Sequence, residues 1–441
     1  MGSPNFVPGE LLIRFNEGTG EQRRQAILAQ VDGSVISTLD LVPGLVHARV
    51  GVGLEQATRL LASRCEVLSA ERNYRLYAAS ADTPTDTDFW VQWGLHIGSH
   101  FIIPAISTDD GVLPSLIFAD IDALPAWDTH TGDGEFVVAV LDTGLISFAE
   151  PADDHEFEGN LWKEDGAVGR DFVVGDAGVV LDTTGHGTAI AAIIGARAGT
   201  DEEDDVVGVN WHCKLMPLRF IGTSVAASDS LSVSGNVALA ITALNFAVSR
   251  DVTLSNNSYG AFGLEESDLT SYKAAIQAAG EAGHLFVAAA GNGSESLDET
   301  PYYPASFNLP NMIVVGSSNE RAEKAIHSNY SPTIVDIAAP GVAIYSRHKY
   351  GYGRDDGTSY ATAFVTGAAA LFWSLHPKWG QADVREAILC SALRHGELEP
   401  YFAKGRLLNL NNLIAGEFGA KNPDPHPLPG SHHYGRSPED W

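Results

Sequence analysis

The chain is short of cysteine, of basic residues and of long apolar runs. Its 441 residues hold three cysteines, Cys65, Cys213 and Cys390. They are too few and too scattered for a disulfide framework or a zinc site. Free buried thiols are expected, with a single Cys213–Cys390 bridge as the alternative. Lys and Arg number 27 against 56 Asp and Glu, a formal charge of −29. Such a chain repels nucleic acid and anionic membrane, so neither is expected as a partner. No apolar run reaches membrane-spanning length, which argues against a transmembrane helix. The expectation is a large soluble protein, long enough for one big α/β domain and a smaller unit.

What is present divides by position. Residues 1–80 read as strand Glu10–Phe15, helix Glu21–Gln30, strands Ser34–Leu39 and Leu45–Val50, helix Leu54–Ala62 and strand Glu66–Asn73. That order is βαββαβ, the ferredoxin-like arrangement, with two helices on one face of an antiparallel sheet. Residues 81–88 read as a linker, and 417–441 as a disordered tail rich in Pro, Gly, His and charge. His426, His432 and His433 of that tail carry no metal site in this reading. Over 89–416, apolar runs alternate with helical patterns, as a doubly wound, mainly parallel sheet requires. Strands are expected at Val137–Leu141, Lys214–Phe220, Val252–Leu254, Leu285–Ala289, Met312–Gly316 and Val335–Ala338. Helices are expected at Leu231–Ser249, Asp268–Gly283, Thr358–Leu375 and Gln381–Leu389.

Three segments of this domain carry chemistry. Asp356-Gly357-Thr358-Ser359-Tyr360 runs straight into an apolar stretch, so Ser359 is expected to cap a buried helix. There the helix dipole and free backbone N–H groups favour developing negative charge. A serine hydroxyl needs a base, and His186, at the first turn of the apolar helix after Gly185, has the right ordinary pKa of about 6.5. An imidazolium needs a fixed anion, and Asp142 ends a buried strand before Thr143-Gly144. A fourth segment, Ala288-Ala289-Ala290-Gly291-Asn292-Gly293, offers an amide. Alone, Asn292 would read as a turn residue that tolerates left-handed backbone angles.

These four strings, in the order Asp142, His186, Asn292, Ser359, resemble the signatures of the subtilisin-like serine proteases over roughly residues 85–415. The resemblance implies a serine endopeptidase working through an acyl-enzyme. Ser359 would be the nucleophile, His186 the general base and acid, and Asp142 its orienting partner, with Asn292 and the Ser359 N–H holding the oxyanion. It makes Ser258, Tyr259 and Gly260 the strand that pairs with an extended peptide, and Ala289, Ala290 and Gly291 the facing wall of the first specificity pocket. Tyr302 falls where several relatives keep a small residue at the pocket base, which would shorten the pocket. Phe89 to Leu95 is similar to the family's entry segment, and the insertion at 96–119 is longer than the family pattern.

No cofactor is implied for the chemistry. Relatives often hold a structural calcium near the acidic loop 201–205, which makes Asp201, Glu202, Asp204 and Asp205 its candidate ligands. Five adjacent acids are more often a solvated loop, and both readings stay open. Glu150-Pro151-Ala152 departs from the family's usual calcium-ligand sequence, with Asp153 as a substitute. The N-terminal unit, ending Ala70-Glu71-Arg72-Asn73-Tyr74, resembles the family's inhibitory propeptides, so the partners expected are a peptide or protein substrate and the chain's own propeptide. Self-cleavage is expected within 75–86. No leader is visible at Met1-Gly2-Ser3-Pro4. Proteases with such propeptides are typically exported, and an intracellular processing protease is the alternative. Two other functions fit the same strings, a transpeptidase or cyclase using the same acyl-enzyme and a non-catalytic peptide-binding scaffold.

Overall fold

The computed structural model describes residues 6–16, 18–38, 44–74, 91–96, 119–145, 155–174, 181–199, 206–225, 231–348 and 351–418. The chain divides into two compact units, Met1–Ala81 and Asp82–Trp441.

In the smaller unit, strands Phe6–Phe15, Ser34–Thr38, Leu45–Arg49 and Val67–Tyr74 form one sheet, with Phe6–Phe15 between Leu45–Arg49 and Val67–Tyr74. Every pairing is antiparallel. The core is one-sided. Leu11, Ile13 and Phe15 alternate inward from the first strand, and Ile27, Leu28, Ala57 and Leu61 from the helices Glu21–Leu28 and Leu54–Ala62 cover them. This is the ferredoxin-like arrangement.

The larger unit is built on a sheet with nine strands among the described residues. In sheet order they are Leu393–Arg394, Arg406–Leu407, Ile337–Pro340, Met312–Ser318, Leu285–Ala289, Leu254–Asn257, Gly132–Asp142, His212–Arg219 and Arg170–Asp171. All neighbours are parallel except the edge pair Leu393–Arg394 and Arg406–Leu407. Strands Leu285–Ala289 and Met312–Ser318 are buried throughout, as a parallel sheet covered on both faces demands. Helix Thr358–Leu375 is buried along nearly its whole length and packs on the sheet. Its small residues, from Ala361 and Ala363 to Ala368, Ala369 and Ala370, permit that close packing on all sides.

Several local expectations shift. Leu231–Ser249 is not one helix: Leu231–Ser234 pairs as a strand with Gly222–Val225, and the helix begins at Val237. Gly235 interrupts helical propensity, and Asn236 caps the new start by accepting from the Leu239 N–H at 3.0 Å. The strand expected at Val252–Leu254 lies at Leu254–Asn257. Its polar residues are tolerated inside because they bond to one another and to neighbours. His284, for example, bonds the Val252 carbonyl and Ser255 Oγ at 2.8 and 2.7 Å. Burial pushes that imidazole down to about 4, so it stays neutral. All three cysteines are free. Cys213 is buried as expected, but Cys65 is exposed and Cys390 only half-buried, on the outer turn of helix Gln381–Ser391 beside Glu386. Among the described residues, no helix is long and apolar enough to cross a membrane.

Candidate active site

Asp142 is the last residue of its strand and fully buried, delivered to the carboxyl edge of the sheet. His186 is the first residue of helix His186–Gly195, entered through Gly185 in the left-handed region at φ 95°. The two meet: His186 Nδ1 and Asp142 Oδ1 lie 2.7 Å apart. Asp142 Oδ1 also accepts from the Thr143 N–H at 2.7 Å. With its Nδ1 proton given to Asp142, the imidazole keeps a lone pair at Nε2. The His186 ring is still one-third exposed (33%). Burial opposes its protonation, but the Asp142 carboxylate, helped by Asp182 and Asp355, holds its pKa above the ordinary histidine value.

Ser359 is not the helix cap. Gly357 occupies that position, and Ser359 is the second residue of helix Thr358–Leu375, inside the first turn. Its N–H therefore remains one of the free donors of a helix start. The hydroxyl donates to the Ser258 carbonyl at 3.3 Å, and among the described residues none of its hydrogen bonds goes to His186. Such bonds tighten in the substrate complex, and a rotation about the Cα–Cβ bond is the movement required.

Asn292 is oriented by two bonds. Its Oδ1 accepts from the Thr358 N–H and the Thr358 hydroxyl, each at 2.9 Å. The carbonyl end is thus tied back, and the Nδ2 end is left to donate. A side chain at Gly357 would crowd that amide, since a Cβ there would lie 3.3 Å from Asn292 Nδ2.

The residues expected to line a pocket lie on the neighbouring flank. Ser258 Oγ donates to the Ser359 carbonyl at 3.1 Å, tying this segment to the backbone of the helix start. Tyr259 bonds Asn257 and Tyr272 through its hydroxyl at 3.1 and 2.8 Å. Ala289 and Ala290 are buried, and the Ala290 carbonyl accepts from Asn329 Nδ2 at 2.7 Å. The Tyr302 ring lies between the two walls. A Cβ on Gly260 would collide with it, and one on Gly291 would come within 2.8 Å of its Cε1. Both glycines leave room for that ring, and Gly291 is needed besides for its φ of 95° and for Asn329 Nδ2, 2.5 Å from such a Cβ. Burial pushes the Tyr302 hydroxyl up to about 12, so the side chain is uncharged at neutral pH.

Sequence reasoning missed Asp182. This buried carboxylate accepts from the Thr143 hydroxyl, from Thr184 and Gly185 N–H groups, and from the N–H and hydroxyl of Thr188, all at 2.8–3.0 Å. Burial alone would raise its pKa, but those donors outweigh it and hold the value below the ordinary carboxylate range. Thr143 passes the connection on by accepting from the Gly187 N–H at 2.9 Å. The signal was available: an acid four residues before a helix-starting histidine suits a helix N-terminus. The acidic loop with Asp201, Glu202, Asp204 and Asp205, together with Asp153, the segment 75–86 and most of the 96–119 insertion, lies outside the described residues.

A buried aspartate, a histidine and a serine at a helix start, with an aimed amide beside them, is the equipment for acyl transfer. The model of the subtilase family matches residues 133–420, which contain all four groups. The chain belongs to the subtilase family of serine proteases. This subtilase is 28% identical over 409 residues to the Thermophilic serine proteinase of Bacillus sp. (strain AK1), covering 92% of this chain and 87% of that one. It is 33% identical over 275 residues to Subtilisin E of Bacillus subtilis, covering 62% of this chain and 64% of the relative. Among solved structures it resembles a cold adapted subtilisin-like serine proteinase, with a TM-score of 0.51 at 26% identity over 64% of this chain and 90% of that one.

Proposed function

We propose that this subtilase is a serine endopeptidase made as a self-inhibited precursor, with Ser359, His186 and Asp142 as its catalytic triad. The observation that carries the reading is the 2.7 Å contact between His186 Nδ1 and fully buried Asp142. It sets the tautomer in which Nε2 accepts the Ser359 proton as Oγ attacks the scissile carbonyl. The new C–O bond leaves negative charge on the carbonyl oxygen, where Asn292 Nδ2 and the Ser359 N–H donate to it. His186 then returns the proton to the leaving amine as the C–N bond breaks. Water, deprotonated by the same imidazole, hydrolyses the acyl-enzyme.

The substrate lies extended along Ser258–Gly260, its side chain before the cleaved bond directed between that wall and Ala289–Gly291. The Tyr302 ring under Gly260 and Gly291 supports a shallow pocket, suited to small and medium side chains. The ferredoxin-like unit acts as inhibitor and folding partner, with the cut within 75–86, and the precursor form supports export. None of these steps calls on a cofactor.

The test is intact mass of the purified chain over time, beside Ser359→Ala. Loss of about 80 N-terminal residues from the wild type alone is expected. If both chains stay whole and a fluorophosphonate fails to label Ser359, the reading falls.

A further inference from the structure

The two flanks of Ser359 are unlike in charge. One carries the pocket walls and Asn292, all uncharged. The other carries His186, Tyr360 and the end of the strand Gly351–Asp355. Tyr360 packs edge-on against the His186 ring, with centroids 6.2 Å apart at 62°. Its hydroxyl donates to Asp355 Oδ2 at 2.8 Å. Asp355 Oδ1 accepts from the Asp356 N–H at 2.8 Å, so both oxygens are fixed although the residue is exposed. Asp356 is exposed as well, and its Oδ1 is anchored on the Ala343 N–H at 2.6 Å. Among the described residues neither carboxylate forms an ion pair with Lys or Arg. One held negative charge without a Lys or Arg partner, Asp355, therefore stands on the histidine flank four residues before the nucleophile, with Asp356 next to it in the chain and acting also on the imidazole of His327.

The chemistry fixes what this flank meets. With the carbonyl oxygen at Asn292 and the acyl side chain between the pocket walls, the leaving nitrogen has to face His186, because His186 protonates it. The residue that follows the cleaved bond then emerges along His186, Tyr360 and Asp355. We propose that Asp355, with Asp356 beside it, selects polypeptides carrying lysine or arginine immediately after the cleaved bond. This rests on the proteolytic reading above. The same carboxylate contributes to the raised basicity of His186, which fits its placement within electrostatic reach of the reacting groups. Fixed carboxylates suit this task because no side-chain ordering is lost when the cation arrives, and because an anion at the same place is repelled.

The experiment uses the purified full chain, incubated until its mass is constant, and one internally quenched peptide series that differs only in the residue after the cleaved bond: Lys, Gln or Glu. Wild type is expected to show a Lys-over-Glu ratio in kcat/KM of about tenfold at low ionic strength, the combined attraction and repulsion of an exposed charge site. Salt at 1 M should flatten the ratio, because the screening length falls to about 3 Å. Asp355→Asn should cut the ratio by about fivefold, and Asp355→Glu should keep most of it. Because each ratio is taken within one enzyme, damage to His186 through the lost Tyr360 contact cancels. A ratio near one in the wild type, or an unchanged ratio in Asp355→Asn, overturns the proposal while leaving proteolysis intact. No cleavage of any peptide, with no fluorophosphonate label on Ser359, removes the proteolytic reading and this inference with it.

Discussion

The proposed reacting groups and the proposed substrate pocket adjoin each other but are held by different means. Asp142, His186, Ser359 and Asn292 sit at strand ends and helix starts, and hydrogen bonds fix the orientation of Asp142, His186 and Asn292. The pocket is shaped by packing, with one tyrosine ring against two glycines and an aromatic neighbour, Phe262, 4.7 Å from that ring. Hydrogen-bonded placement is all-or-none, since a donor a fraction of an ångström off loses its function. Packing is graded, since rings and side chains can be exchanged at moderate cost. The four reacting groups should therefore set turnover for every substrate alike, and the pocket should reorder substrates by the side chain before the cleaved bond.

The largest test of that division is Asp142→Asn, expected to lower kcat about 10⁴-fold through the wrong imidazole tautomer. Wild-type kcat/KM should rise with pH through a pKa above the ordinary histidine value of about 6.5, because the active form is the neutral imidazole and nearby carboxylates favour the cation. In Asp142→Asn the residual activity should have its acid limb at lower pH. A pH–rate series on both proteins reads this, and an unmoved limb would detach His186 from Asp142. Asn292→Ala should cost about 10²–10³ in kcat with little change in KM. If it changes the ranking of substrates instead, the division between reacting groups and pocket fails.

Asp182→Ala strips the acceptor from a set of buried donors and should destabilise the larger unit by about 3 kcal/mol, read by denaturant melts. The sign of its pH dependence follows from a lowered folded-state pKa. The contribution is present above the ordinary aspartate value of about 4 and is lost as pH falls through the depressed value. Wild type should therefore shed, on acidification below about pH 4, a component of stability that Asp182→Ala lacks. The smallest effect is expected at Tyr302→Gly, which should raise kcat/KM for substrates with a large aromatic before the cleaved bond by about 10-fold or more relative to small ones. Equal change for all substrates would place Tyr302 with the reacting groups.

Much of the architecture was legible because it is local. Helix Thr358–Leu375 and strand Leu285–Ala289 have the bounds their apolar patterns imply. The failures have local causes too. The helix expected from Leu231 overrode the break at Gly235, and the strand expected to stop at Leu254 runs on through polar Ser255, Asn256 and Asn257. Buried polar strand residues defeat pattern reading, because their satisfaction depends on partners such as His284 and Thr366 far along the chain.

The amino-acid sequence by itself determined which groups are present for chemistry and on which local element each stands. Asp142 ends an apolar strand, His186 and Ser359 open apolar helices, and Asn292 follows a buried strand, all readable within about ten residues of each. Only the tertiary structure decided how they face one another: Asn292 turned by Thr358, Thr143 bound to Asp182, Tyr302 lodged between Gly260 and Gly291, and Tyr360, with Asp355 on its hydroxyl, set against the His186 ring. The reason is physical. Hydrophobic periodicity is a property of neighbours in the chain, whereas side-chain orientation and electrostatic company are set by residues that become neighbours only when the sheet and its helices close.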